Sequence, residues 1–147
     1  MKYIIKLLVI SSLVFSFNSF AKAPIYTGYF SSEAVSGYDT VAYFTQSKAV
    51  KGLKKFSFEY KGEDWYFSNS QHLALFKQDP EKYAPQYGGY CAYAVANNDT
   101  ASSDPTQWTI EDGKLYLNYS ADIKNQWLEN KLDFIEKANQ NWPNVLN

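Results

Sequence analysis

The chain has 147 residues, with 14 lysines and no arginine against 15 Asp and Glu, a net charge of −1. That balance excludes the basic face that nucleic acid needs, and without arginine there is no planar fork to grip phosphate. A single cysteine, Cys91, excludes an intramolecular disulfide, so stability must come from packing, for which ten Phe, thirteen Tyr and four Trp supply large buried areas.

Residues 1–21 read as a cleavable secretory signal peptide. Lys2 and Lys6 form a positive start, Leu7 to Phe15 is mostly apolar, and Ser19-Phe20-Ala21 places small residues where a signal peptidase reads them. The expected cut follows Ala21, because a cut after Ala23 would put Pro24 directly beyond the scissile bond. The apolar run is shorter than the roughly 20 residues a membrane span takes. No cysteine follows it directly to carry a lipid. The expected address is therefore the periplasm or the exterior. Losing Lys2 and Lys6 leaves 12 Lys against 15 acids in residues 22–147, a net charge of −3. That length suits one domain with its core over 35–143.

Residues 22–37 read as a loose lead-in broken by Pro24, Gly28 and Gly37. Val41 to Phe44 reads as a short extended segment, and Lys48 to Gly52 as a turn or short strand. Phe56 to Tyr60 alternates with period two, and Trp65 to Phe67 answers it across Lys61-Gly62-Glu63-Asp64, predicting a β-hairpin. Ser68 stands as the N-cap of a helix over 69–77 that stops before Asp79-Pro80. Pro85 to Gly89 is a turn, Tyr90 to Ala96 is helical, and Asn97 to Pro105 is a polar loop. Gln107 to Ile110 and Lys114 to Asn118 form a second hairpin about Asp112-Gly113. Ser120 caps a helical region from 121 to about 141, with a break near Asn130 and a stop at Pro143. The two hairpins are the one internal repetition visible. Strands and helices mix without βαβ spacing, which predicts an α+β fold with two hairpins, short helices and a helical C-terminal region.

These residues carry a resemblance. Tyr60-x-Gly62-x-x-Trp65-Tyr66-Phe67-Ser68, followed by Phe76-x-x-Asp79-Pro80-Glu81-Lys82-Tyr83, resembles the YHS domain, with Asp39-Thr40-Val41 where that domain has its opening Asp-Pro-Val. Pro85 to Ala92, Trp108 to Ile110, Asp112 to Tyr119 and Asn141-Trp142-Pro143 resemble its exported bacterial branch. The resemblance spans about residues 35–143. It implies a small metal-associated fold, often attached to metal transporters or oxygenases, whose metal-binding members use cysteines. Here those cysteine positions hold Ala42, Ser68 and His72. A thiolate site for zinc or Cu(I) needs several such ligands, which these positions do not supply.

The remaining candidates are Cys91, His72, Asp39 and the tyrosines. Cys91 follows Gly88-Gly89-Tyr90 and stands where a helix opens. Its thiol is either activated by the helix dipole or simply a small core residue. Gly88-Gly89 allows close backbone approach to a ligand, or only forms a turn. His72 is the one imidazole, either a ligand or a solvent-facing helix residue. Tyr38, Tyr43, Tyr83, Tyr87, Tyr90 and Tyr93 cluster along the YHS segments, and phenolate is a hard oxygen ligand for ferric iron; equally, tyrosines pack flat with a hydroxyl on water.

Three functions follow. The first is a periplasmic, non-enzymatic metal-binding or metal-handling accessory protein. It would use His72, Cys91, Asp39, Tyr43 and Tyr90 to hold a transition metal, iron or copper, or would work with another periplasmic protein. The second is a metal-free module that binds a small ligand or a partner protein. The third is thiol chemistry at Cys91, against which the missing resolving cysteine argues.

Overall fold

The computed structural model describes residues 21–28 and 30–147; apart from Ala21, the expected signal peptide lies outside the described residues. The architecture is α+β, with two antiparallel two-stranded hairpins among short helices.

The first half opens on a left-handed turn, Ala34–Gly37, in which Val35 (φ 54°), Ser36 (φ 52°) and Gly37 (φ 74°) all have positive φ. The Tyr38 N–H donates to the Val35 carbonyl at 3.0 Å and closes the turn. A β-branched residue such as Val35 is strained in this region and persists there only when its surroundings hold it. Asp39 then caps α1 (Thr40–Gln46). The segment expected to be extended is therefore helical. Asp39 Oδ1 accepts the N–H of Val41 at 3.0 Å and of Ala42 at 3.3 Å, and so satisfies two donors that a helix start leaves open.

β1 (Leu53–Tyr60) pairs with β2 (Glu63–Phe67) across Lys61-Gly62. Both turn residues have positive φ, which is the type I′ geometry that suits strand twist. The turn is two residues long rather than four, and Glu63 and Asp64 belong to β2. α2 (Ser70–Gln78) starts on Asn69, whose side chain accepts the His72 N–H at 2.8 Å. Ser68, the expected cap, is drawn instead to a buried carboxylate. Asp79 ends α2 and caps α3 (Pro80–Tyr83).

The second half repeats this plan. Gln86–Gly89 forms another left-handed turn through Tyr87 (φ 56°), Gly88 (φ 61°) and Gly89 (φ 84°), closed by Tyr90 N–H to the Tyr87 carbonyl at 3.0 Å. Cys91 occupies the N-cap of α4 (Ala92–Ala96), as Asp39 does for α1. β3 (Asp104–Glu111) and β4 (Lys114–Asn118) match β1 and β2 in length and in the position of their bulge. They meet at the positive-φ pair Asp112-Gly113. Ser120 caps α5 (Ala121–Glu129), which matches α2, and Asn130 separates it from α6 (Lys131–Asn141). The repetition therefore extends well beyond the two hairpins.

Each half has its own aromatic core, and equivalent positions fill them. In the first, Phe76 of α2 packs on Trp65 with ring centroids 5.0 Å apart. In the second, Trp127 of α5 packs on Tyr116 at 5.4 Å. β4 serves both cores because its side chains alternate. Leu115 and Leu117 join the first core while Tyr116 joins the second. The Asn141 amide donates to the Val95 and Ala96 carbonyls at 2.8 and 3.2 Å and closes the end of α4. Among the described residues, no helix is long and apolar enough to cross a membrane.

Candidate functional site

The first half converges on one carboxylate. Asp39 is fully buried. Its Oδ1 caps α1, and its Oδ2 accepts the Ser68 N–H at 2.8 Å, the Ser68 hydroxyl at 2.6 Å and His72 Nδ1 at 2.6 Å. Five donors from α1, the end of β2 and α2 thus meet one acid, which offsets the cost of burying its charge. A carboxylate only accepts, so Nδ1 carries a proton toward Asp39, and in the neutral ring the lone pair is on Nε2. Nε2 faces exposed α1 residue Thr45, with Oγ1 at 3.3 Å. That hydroxyl also stands 3.0 Å from the Val41 carbonyl, and its single proton serves one acceptor at a time.

Ala42, Ser68 and His72, the positions where the family's cysteines are expected, do surround one point. That point is occupied by the Asp39 side chain. Ala42 offers only its backbone N–H, and Ser68 and His72 Nδ1 turn toward the acid. These residues do not fit an enclosed thiolate site. What they build is an imidazole held from behind by a buried carboxylate, the arrangement that orients histidine ligands in metal proteins. Ser68, His72 and Asp39 also do not form a nucleophile relay, because the hydroxyl and the imidazole both point at the same carboxylate oxygen.

The structure brings together two of the five expected ligands, Asp39 and His72. Tyr43 is buried with its hydroxyl on the Pro105 carbonyl at 2.8 Å, and burial, reinforced by Tyr38, Asp104 and Asp39, pushes its pKa up. Tyr90 donates to the Ala23 carbonyl at 2.8 Å, and burial raises its pKa too. Tyr87, likewise raised by burial, donates to Asn139 Oδ1 at 2.9 Å. Cys91 lies in the second half. Among the described residues, no group of three or more His, Cys, Asp or Glu side chains stands where it could hold a metal ion. Sequence reasoning passed over Thr45 and Asn118; neither sits in a motif, and only the fold brings them to His72 and Cys91.

Cys91 is buried, and its thiol donates to Asn118 Oδ1 at 3.6 Å. The same Oδ1 accepts the Tyr93 N–H at 3.2 Å and so takes over part of the capping that Asp39 performs in α1. Burial raises the thiol pKa and outweighs the Ala94, Tyr119 and Tyr93 N–H groups, which pull it down. The helix dipole does not prevail at this position.

A separate cleft of about 430 Å³ opens between the tip of the first hairpin and the C-terminal residues. Tyr60, Tyr87 and Trp142 form its walls, with Lys61 and Glu81 at the side. Gly88 borders it, and a Cβ there would lie 1.8 Å from the Pro24 carbonyl oxygen. The close approach that Gly88 allows is thus taken up by the chain's own N-terminal segment, whose Tyr26 N–H donates to the Gly88 carbonyl at 2.9 Å.

The first hairpin, the Asp79-Pro80 helix stop and the converging Ala42, Ser68 and His72 positions all lie in the one stretch for which a family match is found. Residues 41–87 match the YHS domain. The match ends at Tyr87, so the second half of the molecule lies outside it despite its matching plan. No curated protein and no solved structure matches the chain. YHS domains are associated with metal handling, and in this chain the matched segment includes His72.

Proposed function

We propose that the chain is an exported YHS-domain protein that handles a metal ion without catalysing a reaction. His72 Nε2 is its own donor, and a partner protein or solvent completes the coordination. The observation that carries this reading is the 2.6 Å contact between His72 Nδ1 and the buried Asp39, which fixes the ring and its tautomer. A lone imidazole binds weakly and exchanges readily, which suits passing a metal on rather than storing it. The basic start, apolar run and small-residue cleavage motif of residues 1–21 support a periplasmic address.

Titration of the purified protein with Cu(II) and Zn(II), followed by calorimetry, tests the reading. Binding that disappears in His72→Gln is expected. Equal binding by wild type and His72→Gln would sink the proposal. N-terminal sequencing of the exported protein should begin at Lys22.

The cleft supports a second reading, a metal-free binding module. Its Tyr60, Tyr87 and Trp142 walls offer flat apolar contact beside two opposite charges. A ligand there would be sensitive to Trp142→Ala and indifferent to His72→Gln. Thiol chemistry at Cys91 has less support, since the thiol is buried and its pKa raised.

A further inference from the structure

The cleft beside Tyr60 and Trp142 is walled by rings that the rest of the chain holds in place. Tyr60 packs on Trp65 and Phe76 with centroids 6.0 and 5.7 Å apart, and Trp142 packs on Tyr87 and Tyr90 at 6.0 and 6.2 Å. Pro24, Pro85 and Pro143 add three proline rings to the lining, with φ fixed and no N–H to offer. Such a surface needs little ordering when a ligand arrives. Its volume of about 430 Å³ lies within the range of small-molecule sites.

The polar side chains that line it are few, and two of them are charged. Lys61 and Glu81 are both exposed, and among the described residues neither takes part in an ion pair. The Lys61 ammonium stands 5.2 Å from the Tyr60 ring centroid, so a positive charge lies against one wall. Gln86 is the neutral polar group beside them, and the Tyr87 hydroxyl is already engaged with Asn139. Two opposite charges therefore border one apolar space without pairing with each other.

This set selects among ligand classes. A simple anion meets one lysine and a carboxylate that repels it, and a simple cation meets the rings and Glu81 but is repelled by Lys61. A sugar finds few partners for its hydroxyls on a wall rich in proline. A zwitterion with an apolar body matches both charges and covers the rings. We propose that the cleft binds such zwitterions, an apolar α-amino acid or a short apolar peptide, with the ammonium at Glu81 and the carboxylate at Lys61. The proposal rests on the second reading above, in which the cleft is a binding site, and it does not depend on metal binding at His72.

Calorimetry on the purified protein tests it with phenylalanine and leucyl-phenylalanine, which separate the free amino acid from the peptide. At least one should bind. Its amide and its N-acetyl form, each lacking one charge, should bind about tenfold more weakly. Lys61→Gln should abolish the preference for the free carboxylate and keep that for the free amine, and Glu81→Gln should do the reverse. His72→Gln should change neither. Equal binding of the charged and blocked forms, or preferences that survive in both cleft variants, would overturn the proposal. Failure of both zwitterions would overturn it as well. If the neutral probe indole then still binds, and is lost in Trp142→Ala, the cleft remains a site for another class of ligand. If indole fails too, the binding-module reading falls with the proposal.

Discussion

The two halves share a plan and differ in what covers the back of each hairpin. In the first, Asp64 and Tyr66 of β2 are half-buried, and Tyr66 borders a shallow polar depression with Glu33 and Lys51. In the second, the equivalent residues are Leu115 and Leu117 of β4, and both are buried in the first half's core. The comparison teaches that a two-stranded hairpin, marginal alone, can be stabilised from either face. Here the second hairpin is used on both. A pair of side chains decides whether a unit ends the molecule or joins it to another.

The capping positions should separate the halves most strongly. Asp39→Ala leaves five donors without their acceptor, and a loss of about 3–5 kcal/mol in a denaturant unfolding curve is expected. Cys91→Ala, its counterpart, should cost about 1–3 kcal/mol, since Asn118 still caps the helix. Equal losses would mean that the two capping positions do not differ in this way.

The left-handed turns give the next contrast. Gly88→Ala should destabilise by about 2–3 kcal/mol, as its methyl group must displace Pro24. Ser36 carries a side chain at the matching position, so Ser36→Ala should lie within about 0.5 kcal/mol of wild type.

Alkaline pH probes one buried phenol in each half. Tyr43 and Tyr87 have pKa values raised by burial. Their neutral forms are therefore favoured in the folded state. The stability this represents is complete below the unfolded tyrosine pKa of about 10 and is lost as pH rises above it. Ultraviolet titration should leave these two phenols silent until the chain unfolds. Tyr43→Phe should reduce the slope of stability against pH in that range.

His72→Leu, which brings the first half closer to the second with its Ile123, should cost about 1–2 kcal/mol, because Ser68 still satisfies Asp39 Oδ2. Leu132→Ala, at an exposed position on α6, should change stability by less than about 0.5 kcal/mol.

Much of this fold was legible where periodicity and turn chemistry speak locally. Asp112-Gly113 and the alternation of Phe56 to Tyr60 mark the two hairpins, Ser120 marks α5, and Asn130 marks the break before α6. α1 was misread because Val41 to Phe44 is apolar and short, and its helix depends on a cap whose second carboxylate oxygen is engaged 29 and 33 residues away. The repeated plan is hidden in the sequence because few side chains coincide. Trp65 corresponds to Tyr116, Phe76 to Trp127 and Asp39 to Cys91, pairs that match in volume or in place but not in letter. The stretch from the start of the helix to the start of the hairpin, Thr40 to Leu53 against Ala92 to Asp104, is also one residue shorter in the second half, which throws a direct alignment out of step. Asp39 and His72 were singled out from their motif positions, but their contact, and the distance of Cys91, Tyr43 and Tyr90 from it, follow from tertiary packing.

The alternation of β4 also has a consequence in time. Its amides belong to a strand whose two faces lie in two different cores. Neither half can open without uncovering it, and opening it uncovers both. Exchange of its backbone hydrogens with heavy water should then follow the slowest, global event, with the two halves unfolding together as one unit. Two halves of like plan are in this way one cooperative molecule rather than two beads on a string.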